Sequence, residues 1–206
     1  QAQADKLAEY AESEGGDTWE KCSRLAAEHG IYLIAGSMLE QDEDGHIYNT
    51  SYVFDRKGHQ IGKHRKMHLF DIDVKGGQYF KESETLTPGN QITVFDTEFG
   101  KIGLCICYDF RFPELARLMA DQGAEVIIVP AAFNMTTGPL HWELMFRQRA
   151  VDNQVAQPLA GHQKFAHDHA HPGQPHVHLQ RVYKGGQVGR QHELEQRLRA
   201  ACAQGF

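Results

Sequence analysis

Hydrophobic and polar residues follow two kinds of pattern in the first three quarters of the chain. Helical spacing of apolar residues predicts three helices that begin near Asp17, Pro113 and His141, and Asp17–Glu20 is expected to form a capping box. Short runs rich in β-branched and aromatic residues predict strands at 31–35, 47–54, from 60, 92–95, 101–107 and 126–129. Apolar strands mixed with helices indicate a layered α/β fold.

This pattern fades after Val155. Residues 156–206 contain seven of the chain's 13 histidines, and glutamine, glycine and proline replace the regular apolar positions. Such a composition buries too little apolar surface to offset the entropy of ordering the chain. We therefore predict a domain over residues 1–155 and a His/Gln-rich tail of low order over 156–206. In the tail only 193–202 has the spacing of a short helix, and a frameshift is our hypothesis for its origin.

Composition and charge argue against several classes of protein. With 41% hydrophobic and 23% charged residues, the chain is typical of a globular protein. It lacks the apolar run of about 18 residues that predicts a membrane helix, and Gln1–Asp5 has no pattern of a signal peptide. A net charge of -6 gives no support for nucleic-acid binding. The four cysteines indicate free thiols in a reducing compartment, which predicts a cytoplasmic protein.

The strongest chemical signal lies in residues 103–114. An apolar strand ends at Cys107 and a helix begins almost at once, so this thiol is predicted at the edge of a sheet. The N–H groups at the start of a helix favour a thiolate there, which is typical of an activated nucleophile. Cys105 lies two residues inside the strand and is expected to be a small buried hydrophobe.

The residues Gly-Leu-Cys-Ile-Cys-Tyr-Asp-Phe-Arg-Phe-Pro-Glu at 103–114 resemble the nucleophile motif of the nitrilase superfamily of carbon–nitrogen hydrolases. Three other segments agree with the family in order and spacing. Residues 63–70 resemble its lysine motif, and residues 80–89 resemble its second-glutamate segment. Residues 133–143, continued by 147–153, resemble the substrate loop and helix of the omega-amidase branch. The resemblance covers about Tyr10 to Val155. It implies a four-layer αββα sandwich, incomplete here, and a homodimeric amidase without metal or cofactor.

The resemblance also implies a role for each matching residue. Cys107 is expected to attack the amide carbonyl and form a thioester, which water hydrolyses with release of ammonia. Lys66 is expected to stabilise the thiolate and the oxyanion, and the backbone N–H of Tyr108 to be the second oxyanion donor. Glu82 is expected to hold Lys66 in place. The implied substrate is a monoamide of a dicarboxylic acid, such as 2-oxoglutaramate.

Three residues are predicted to bind the substrate beside Tyr108. Phe133 and Asn134 follow a strand end, which is where α/β folds bind ligands. Arg111 lies one turn after the nucleophile and could bind a substrate carboxylate through two hydrogen bonds. It could equally pair with Asp109, Glu114 or a neighbouring strand.

A second hypothesis concerns the general base. In the family this base is a glutamate in a Pro-Glu pair at the end of an early strand, and the segment from Lys6 resembles the sequence downstream of it. Glu9, Glu12 and Glu14 do not match the base, since none follows an apolar strand or a proline. The base is therefore expected before residue 1, and the alternative to an amidase is a catalytically dead fragment that at most associates with partners.

The histidines of the tail are a candidate metal site of another kind. They alternate with other residues at 167, 169 and 171 and again at 176 and 178, and could bind Zn²⁺ or Ni²⁺ adventitiously. No cysteine lies close to them, so a dedicated metal site is not predicted.

Overall fold

The computed structural model describes residues 8–133, 137–155, 157–160 and 177–180, and the chain divides into two compact units, residues 1–93 and 94–206. Each unit combines helix with sheet, which confirms the predicted α/β class. Within the described ranges, no helix has both the length and the apolar character needed to cross a bilayer.

The first unit is built around one long antiparallel strand, β3. Its elements are helix α1 (Asp17–His29) and strands β1 (Leu33–Ile34), β2 (Met38–Gln41), β3 (Ile47–Phe54) and β4 (Gln60–Arg65). Strand β3 pairs with β4 along one edge and with β1 and then β2 along the other. Because side chains alternate along β3, the sheet has two distinct buried faces.

Helix α1 packs on one face of this sheet. Ala26 is fully buried with Tyr52 and Phe54. The ring of Trp19 meets that of Phe54 edge-on, with 5.1 Å between the ring centroids. The Ile47–Phe54 run thus supplies the core that its β-branched and aromatic content predicted.

The prediction of a capping box at Asp17–Glu20 is wrong. The N-cap is Gly16, so Asp17 is already helical. The carboxylate of Glu12 takes over the capping role, because it accepts hydrogen bonds from the Thr18 backbone N–H (2.7 Å) and hydroxyl (2.6 Å). A side chain from the preceding loop therefore satisfies the helix N-terminus.

A second small sheet completes the first unit. Strands β5 (Asp71–Asp73) and β6 (Tyr79–Lys81) form an antiparallel hairpin, and a 3-10 turn over Glu82–Glu84 follows directly. Neither this hairpin nor β2 was predicted, since strands of only three or four residues are too short to show a clear alternating pattern.

The second unit contains a three-stranded sheet in the order β7 (Thr93–Thr97), β8 (Gly100–Leu104), β9 (Val126–Ile128), in which β8 and β9 are parallel. Between these two strands lie a 3-10 helix over Cys107–Arg111 and helix α2 (Pro113–Asp121), and α3 (Gly138–Asn153) follows β9. Pro113 begins α2 as predicted.

Close packing joins α2 to β8. A Cβ at Gly103 would lie 2.9 Å from the sulfur of Met119, a residue that is fully buried. Glycine at this position therefore lets the helix approach the strand. Helix α3 adds an aromatic stripe, in which the Trp142 and Phe146 ring centroids lie 4.2 Å apart.

Two short strands lie in the segment that the sequence predicted as a tail of low order. Strands β10 (Gln157–Ala160) and β11 (Val177–Gln180) pair antiparallel. The fading apolar pattern gave no signal for them. The predicted helix at 193–202 and the histidines from 167 to 176 lie outside the described residues, and the domain boundary at 155 stays a prediction.

Candidate active site

Lys66 and Glu82 form a buried ion pair in the first unit. The Nζ of Lys66 lies 2.6 Å from the Oε2 of Glu82, and Lys66 is only 2% exposed. An ammonium group is stable in such a place only when an opposite charge and hydrogen bonds offset its desolvation. The structure therefore brings together two of the three predicted catalytic residues.

Backbone contacts hold Lys66 on both sides. Its N–H donates to the carbonyl of Asn49 on β3, and its carbonyl accepts from the N–H of Gly89, each at 2.8 Å. A Cβ at position 89 would lie 2.2 Å from the carbonyl oxygen of Arg65. Only glycine permits this approach, so Gly89 in the predicted second-glutamate segment has a packing role.

The β5–β6 hairpin delivers Glu82 to this pair. Glu82 follows β6 directly, and its Oε2 also accepts the backbone N–H of Phe70 at 2.8 Å. Asp71 accepts the Ser83 hydroxyl (2.6 Å) and N–H (3.1 Å), and these hydrogen bonds lower the pKa of Asp71. These supports were not predicted from the sequence. The Phe70 contact uses a backbone N–H, which leaves no residue-type signal, and the Asp71–Ser83 contact joins residues 12 apart across a hairpin that was not predicted.

The other face of β4 carries a second buried charge cluster. Glu40, 2% exposed, accepts hydrogen bonds from Thr50 Oγ1 (2.6 Å), Lys63 Nζ (2.5 Å), and Arg65 Nε (3.0 Å) and Nη2 (2.6 Å). Burial raises the pKa of Glu40, but the hydrogen bonds from Arg65, Lys63 and Thr50 outweigh it and hold the pKa below its ordinary value. Because Lys63 and Arg65 face Glu40, Lys66 takes the opposite face of the sheet.

Cys107 begins the 3-10 helix of the second unit. Its φ of 47° lies in the left-handed region that residues other than glycine rarely adopt. Its N–H donates to the carbonyl of Pro130 at 2.9 Å. The predicted strand over 101–107 ends early, at Leu104, because the backbone turns sharply here. Strain at a strand-to-helix turn is typical of an exposed nucleophile.

Asp109 holds this turn together and was not predicted to do so. Its fully buried Oδ2 accepts the N–H of Ile106 at 3.0 Å, and its own N–H donates to the Ile106 carbonyl at 3.0 Å. Cys105 is fully buried, as expected. Its burial, followed by the charge of Asp109, raises the pKa of this thiol, so Cys105 is inert.

Arg111, the last residue of this 3-10 helix, lies among aromatic rings. Its guanidinium carbon lies 5.1 Å from the ring centroid of Phe133 and 5.7 Å from that of Tyr108. Its Nη1 lies 3.2 Å from the Nδ1 of His141. In the described part of the chain it forms no salt bridge, which argues against the predicted alternative of an ion pair with Asp109 or Glu114.

Of the two remaining predicted pocket residues, the structure describes Phe133 but not Asn134. Phe133 is 4% exposed, and its ring packs edge-on against Trp142 with 4.9 Å between centroids. It therefore belongs to the aromatic core of the second unit as well as to the surroundings of Arg111. Asn134 lies outside the described residues, and its role stays a prediction.

One turn has side chains close enough to hold a metal ion. Ligand atoms of Asp42, Asp44 and His46 lie within 4.8 Å of one another. Asp42, however, already accepts the N–H groups of Asp44 (3.1 Å) and His46 (2.8 Å) and the hydroxyl of Tyr48 (3.0 Å). These contacts close the turn between β2 and β3, which explains the cluster without an ion.

Comparison with known sequences finds relatives over most of the chain. The family described as carbon-nitrogen hydrolase matches residues 2–173. The chain is 56% identical over 147 residues to omega-amidase NIT2-B of Xenopus laevis and 53% identical over 147 residues to omega-amidase NIT2 of Homo sapiens. Each match covers 71% of this chain and 53% of the relative. The chain thus spans about half the length of the curated relatives it matches.

Solved structures show the same relationship. Nit3 of Saccharomyces cerevisiae, a member of branch 10 of the nitrilase superfamily, is 46% identical with a TM-score of 0.66, over 75% of this chain and 55% of that one. A carbon-nitrogen hydrolase from Helicobacter pylori is 32% identical with a TM-score of 0.60, over 68% of this chain and 49% of that one. These similarities confirm the predicted type of fold.

Proposed function

Because the chain belongs to the carbon–nitrogen hydrolase family of the nitrilase superfamily, we propose that it hydrolyses a linear amide through a cysteine thioester, as an omega-amidase. The observation that carries this proposal is the left-handed backbone of Cys107 at the strand-to-helix turn. Such strain persists only where the surrounding structure enforces it, and it is concentrated at functional sites. Cys107 is a thiol and not half of a disulfide, which is compatible with a nucleophilic role in a reducing compartment such as the cytoplasm.

The proposed reaction has two stages. In the first, Cys107 Sγ bonds to the amide carbon, the carbon–nitrogen bond breaks, and the thiol proton leaves with the nitrogen as ammonia. Lys66 and the Tyr108 N–H stabilise the negative charge that develops on the substrate oxygen, while Glu82 holds the ammonium of Lys66. In the second stage water adds its hydroxyl to the acyl carbon and returns a proton to the sulfur, which releases the acid.

Arg111 supports a substrate that carries a carboxylate. Its guanidinium lies beside the rings of Tyr108 and Phe133 and, among the described residues, has no acidic partner. A planar guanidinium binds carboxylates through paired hydrogen bonds. The proposed substrates are therefore monoamides of dicarboxylic acids such as 2-oxoglutaramate and succinamate, which agrees with the omega-amidase names of the relatives.

The exposed face of α3 supports the proposed homodimer. Leu140, Leu144 and Val151 follow one another along this helix and are 68%, 63% and 62% exposed. Glu143 and Arg147 lie beside them and form an ion pair, with 3.2 Å between the Oε1 of Glu143 and the Nη1 of Arg147. A two-fold contact between such helices would bury the apolar residues and place opposite charges across the interface. Sedimentation of Leu144→Glu beside the unchanged protein tests this contact, since a monomeric unchanged protein would exclude it.

Ammonia release from succinamate and 2-oxoglutaramate tests the activity. We expect turnover by the unchanged chain, none by Cys107→Ala, and nearly full turnover by Cys105→Ala, the matched control two residues away. A rate equal to that of Cys107→Ala would show that the chain is not an active amidase. Arg111→Met should raise the KM for succinamate about tenfold and leave that for propanamide, which has no carboxylate, nearly unchanged.

A further inference from the structure

Asn49 lies directly across from Lys66. The register pairs Thr50 with Arg65 and Ser51 with His64, and the hydrogen bond from the Lys66 N–H to the Asn49 carbonyl continues it by one residue. Residues that oppose each other in an antiparallel pair point to the same face, with Cβ atoms about 5 Å apart. The side chains of Asn49 and Lys66 are therefore neighbours.

The Oδ1 of Asn49 is buried and accepts no hydrogen bond within the described ranges. An unsatisfied buried acceptor costs about 1–3 kcal/mol, so folded proteins retain few of them. Where one persists, the usual reasons are strain, a bound water or ion, or a catalytic role. An apolar side chain of the same shape would avoid this cost.

The ammonium of Lys66, across from Asn49, has N–H donors without a partner among the described residues. An ammonium has three N–H donors. Among the described residues, the Nζ of Lys66 has Glu82 as its hydrogen-bond partner, while its side chain is 3% exposed. A buried group with spare donors thus lies across from a buried group with a spare acceptor.

We propose that Asn49 is a positioning residue for Lys66. One buried water, which donates to the Oδ1 of Asn49 and accepts from the ammonium, links the two side chains, and with Glu82 this contact fixes the direction in which the third N–H points. The inference rests on the proposed function, in which that N–H meets the oxyanion. A neutral amide suits this task, because it steers the ammonium without cancelling the charge that a second carboxylate would cancel.

Ser51 is a matched control on the same face of β3. Its hydroxyl is buried and without a hydrogen-bond partner among the described residues, as the side-chain Oδ1 of Asn49 is. It opposes His64, however, and not Lys66. A general cost of polar burial would be the same at both positions, whereas a positioning role would appear at Asn49 alone.

The test compares Asn49→Leu and Asn49→Ala with Ser51→Ala in the full chain. Both Asn49 variants should lower kcat on succinamate about 10–100-fold, with KM within about threefold and the folded state intact, since misplacing a charged donor by about 1 Å has such effects. Ser51→Ala should keep kcat. Asn49→Asp retains the acceptor and should keep Lys66 in place, although its charge weakens the oxyanion contact. If Asn49→Leu and Asn49→Ala keep kcat within about twofold of the unchanged chain, the proposal is overturned.

A second readout separates this inference from the proposed function. The lysine ¹H–¹⁵N NMR signal of the buried Lys66 ammonium, assigned by its loss in Lys66→Met, reports its hydrogen bonding without turnover. We expect the signal to shift and exchange faster in Asn49→Leu, and to persist in Ser51→Ala and Asn49→Asp. An unchanged chain that releases no ammonia overturns the proposed function alone. A signal that Asn49→Leu leaves unchanged overturns the positioning role.

Discussion

The two faces of the β3–β4 sheet bury charge in opposite ways. On one face Glu40 accepts four hydrogen bonds from Thr50, Lys63 and Arg65. On the other, the ammonium of Lys66 has Glu82 as its partner among the described residues, and the side-chain Oδ1 of Asn49 has none. The Glu40 carboxylate is fully hydrogen-bonded, although the Tyr52 hydroxyl on the same face is buried without a hydrogen-bond partner among the described residues. The Lys66 face, in contrast, leaves donors of a buried charged group unused.

This difference separates stability from function within one sheet. A fully hydrogen-bonded buried charge stabilises the fold, because removing the charge takes a hydrogen-bond partner from each group around it. A buried polar group with some of its hydrogen bonds unmade lowers the stability of the resting protein, but it is ready to bind a charge that develops during the reaction. The comparison predicts that substitutions in the Glu40 cluster lower stability, while those of Lys66 and Asn49 lower turnover.

The largest expected effect is that of Lys66→Met. The variant keeps the stem of the side chain and removes the charge, so kcat/KM on succinamate should fall about 10³-fold, as for loss of a principal oxyanion donor. Ammonia release measures this loss. Lys63→Met, a control on the Glu40 face, should lower the free energy of unfolding and change kcat/KM less than about threefold. Equal loss of turnover in both variants would contradict the separation of the two faces.

The next effect is that of Glu40→Gln. Removing this buried carboxylate leaves Lys63 and Arg65 without their shared partner, so the free energy of unfolding should fall by about 3 kcal/mol. Urea unfolding measures the change. Glu143→Gln removes an ion pair whose side chains are 57% and 67% exposed, and should change stability by less than about 1 kcal/mol. A similar loss in both variants would mean that the Glu40 cluster has no special role.

A smaller effect is the pH dependence of the difference in unfolding free energy between the unchanged chain and Glu40→Gln. Since the folded state lowers the pKa of Glu40 below 4.5, its ionised form favours folding. The contribution is complete above pH 4.5 and is lost as the pH falls through the lower pKa of the folded state. The gap in unfolding free energy between the unchanged chain and Glu40→Gln should therefore shrink between pH 7 and pH 3. A gap that widens in acid would contradict the assigned direction of the shift.

Much of the regular structure follows from local pattern. Strand β3 has the bounds that its run of β-branched and aromatic residues predicts, and α2 begins at Pro113, whose fixed φ suits a first turn. The β5–β6 hairpin has no such signal, because strands of three residues depend on pairing rather than on periodicity. Local sequence therefore predicts the long elements better than the hairpin that carries Glu82.

The candidate site is predictable only in part. The resemblance to the family's motifs predicts Cys107, Lys66 and Glu82 as catalytic residues, and the ion pair of the last two is present. The hydrogen bond from the Phe70 N–H to Glu82 could not be predicted, since every residue except proline has that donor. The role of Arg111 could not be predicted from the sequence, because a guanidinium suits an ion pair and a bound carboxylate equally well. Its aromatic neighbours, Tyr108 and Phe133, are visible only in the structure.

The backbone at Cys107 has a consequence for engineering. At φ 47° a glycine is more stable than any residue with a side chain, by about 1 kcal/mol. Cys107→Gly should therefore melt at a higher temperature than Cys107→Ala in a thermal unfolding scan, although neither can form a thioester. A library selected for thermal stability alone would discard the nucleophile, so any directed evolution of this chain must include turnover in its screen.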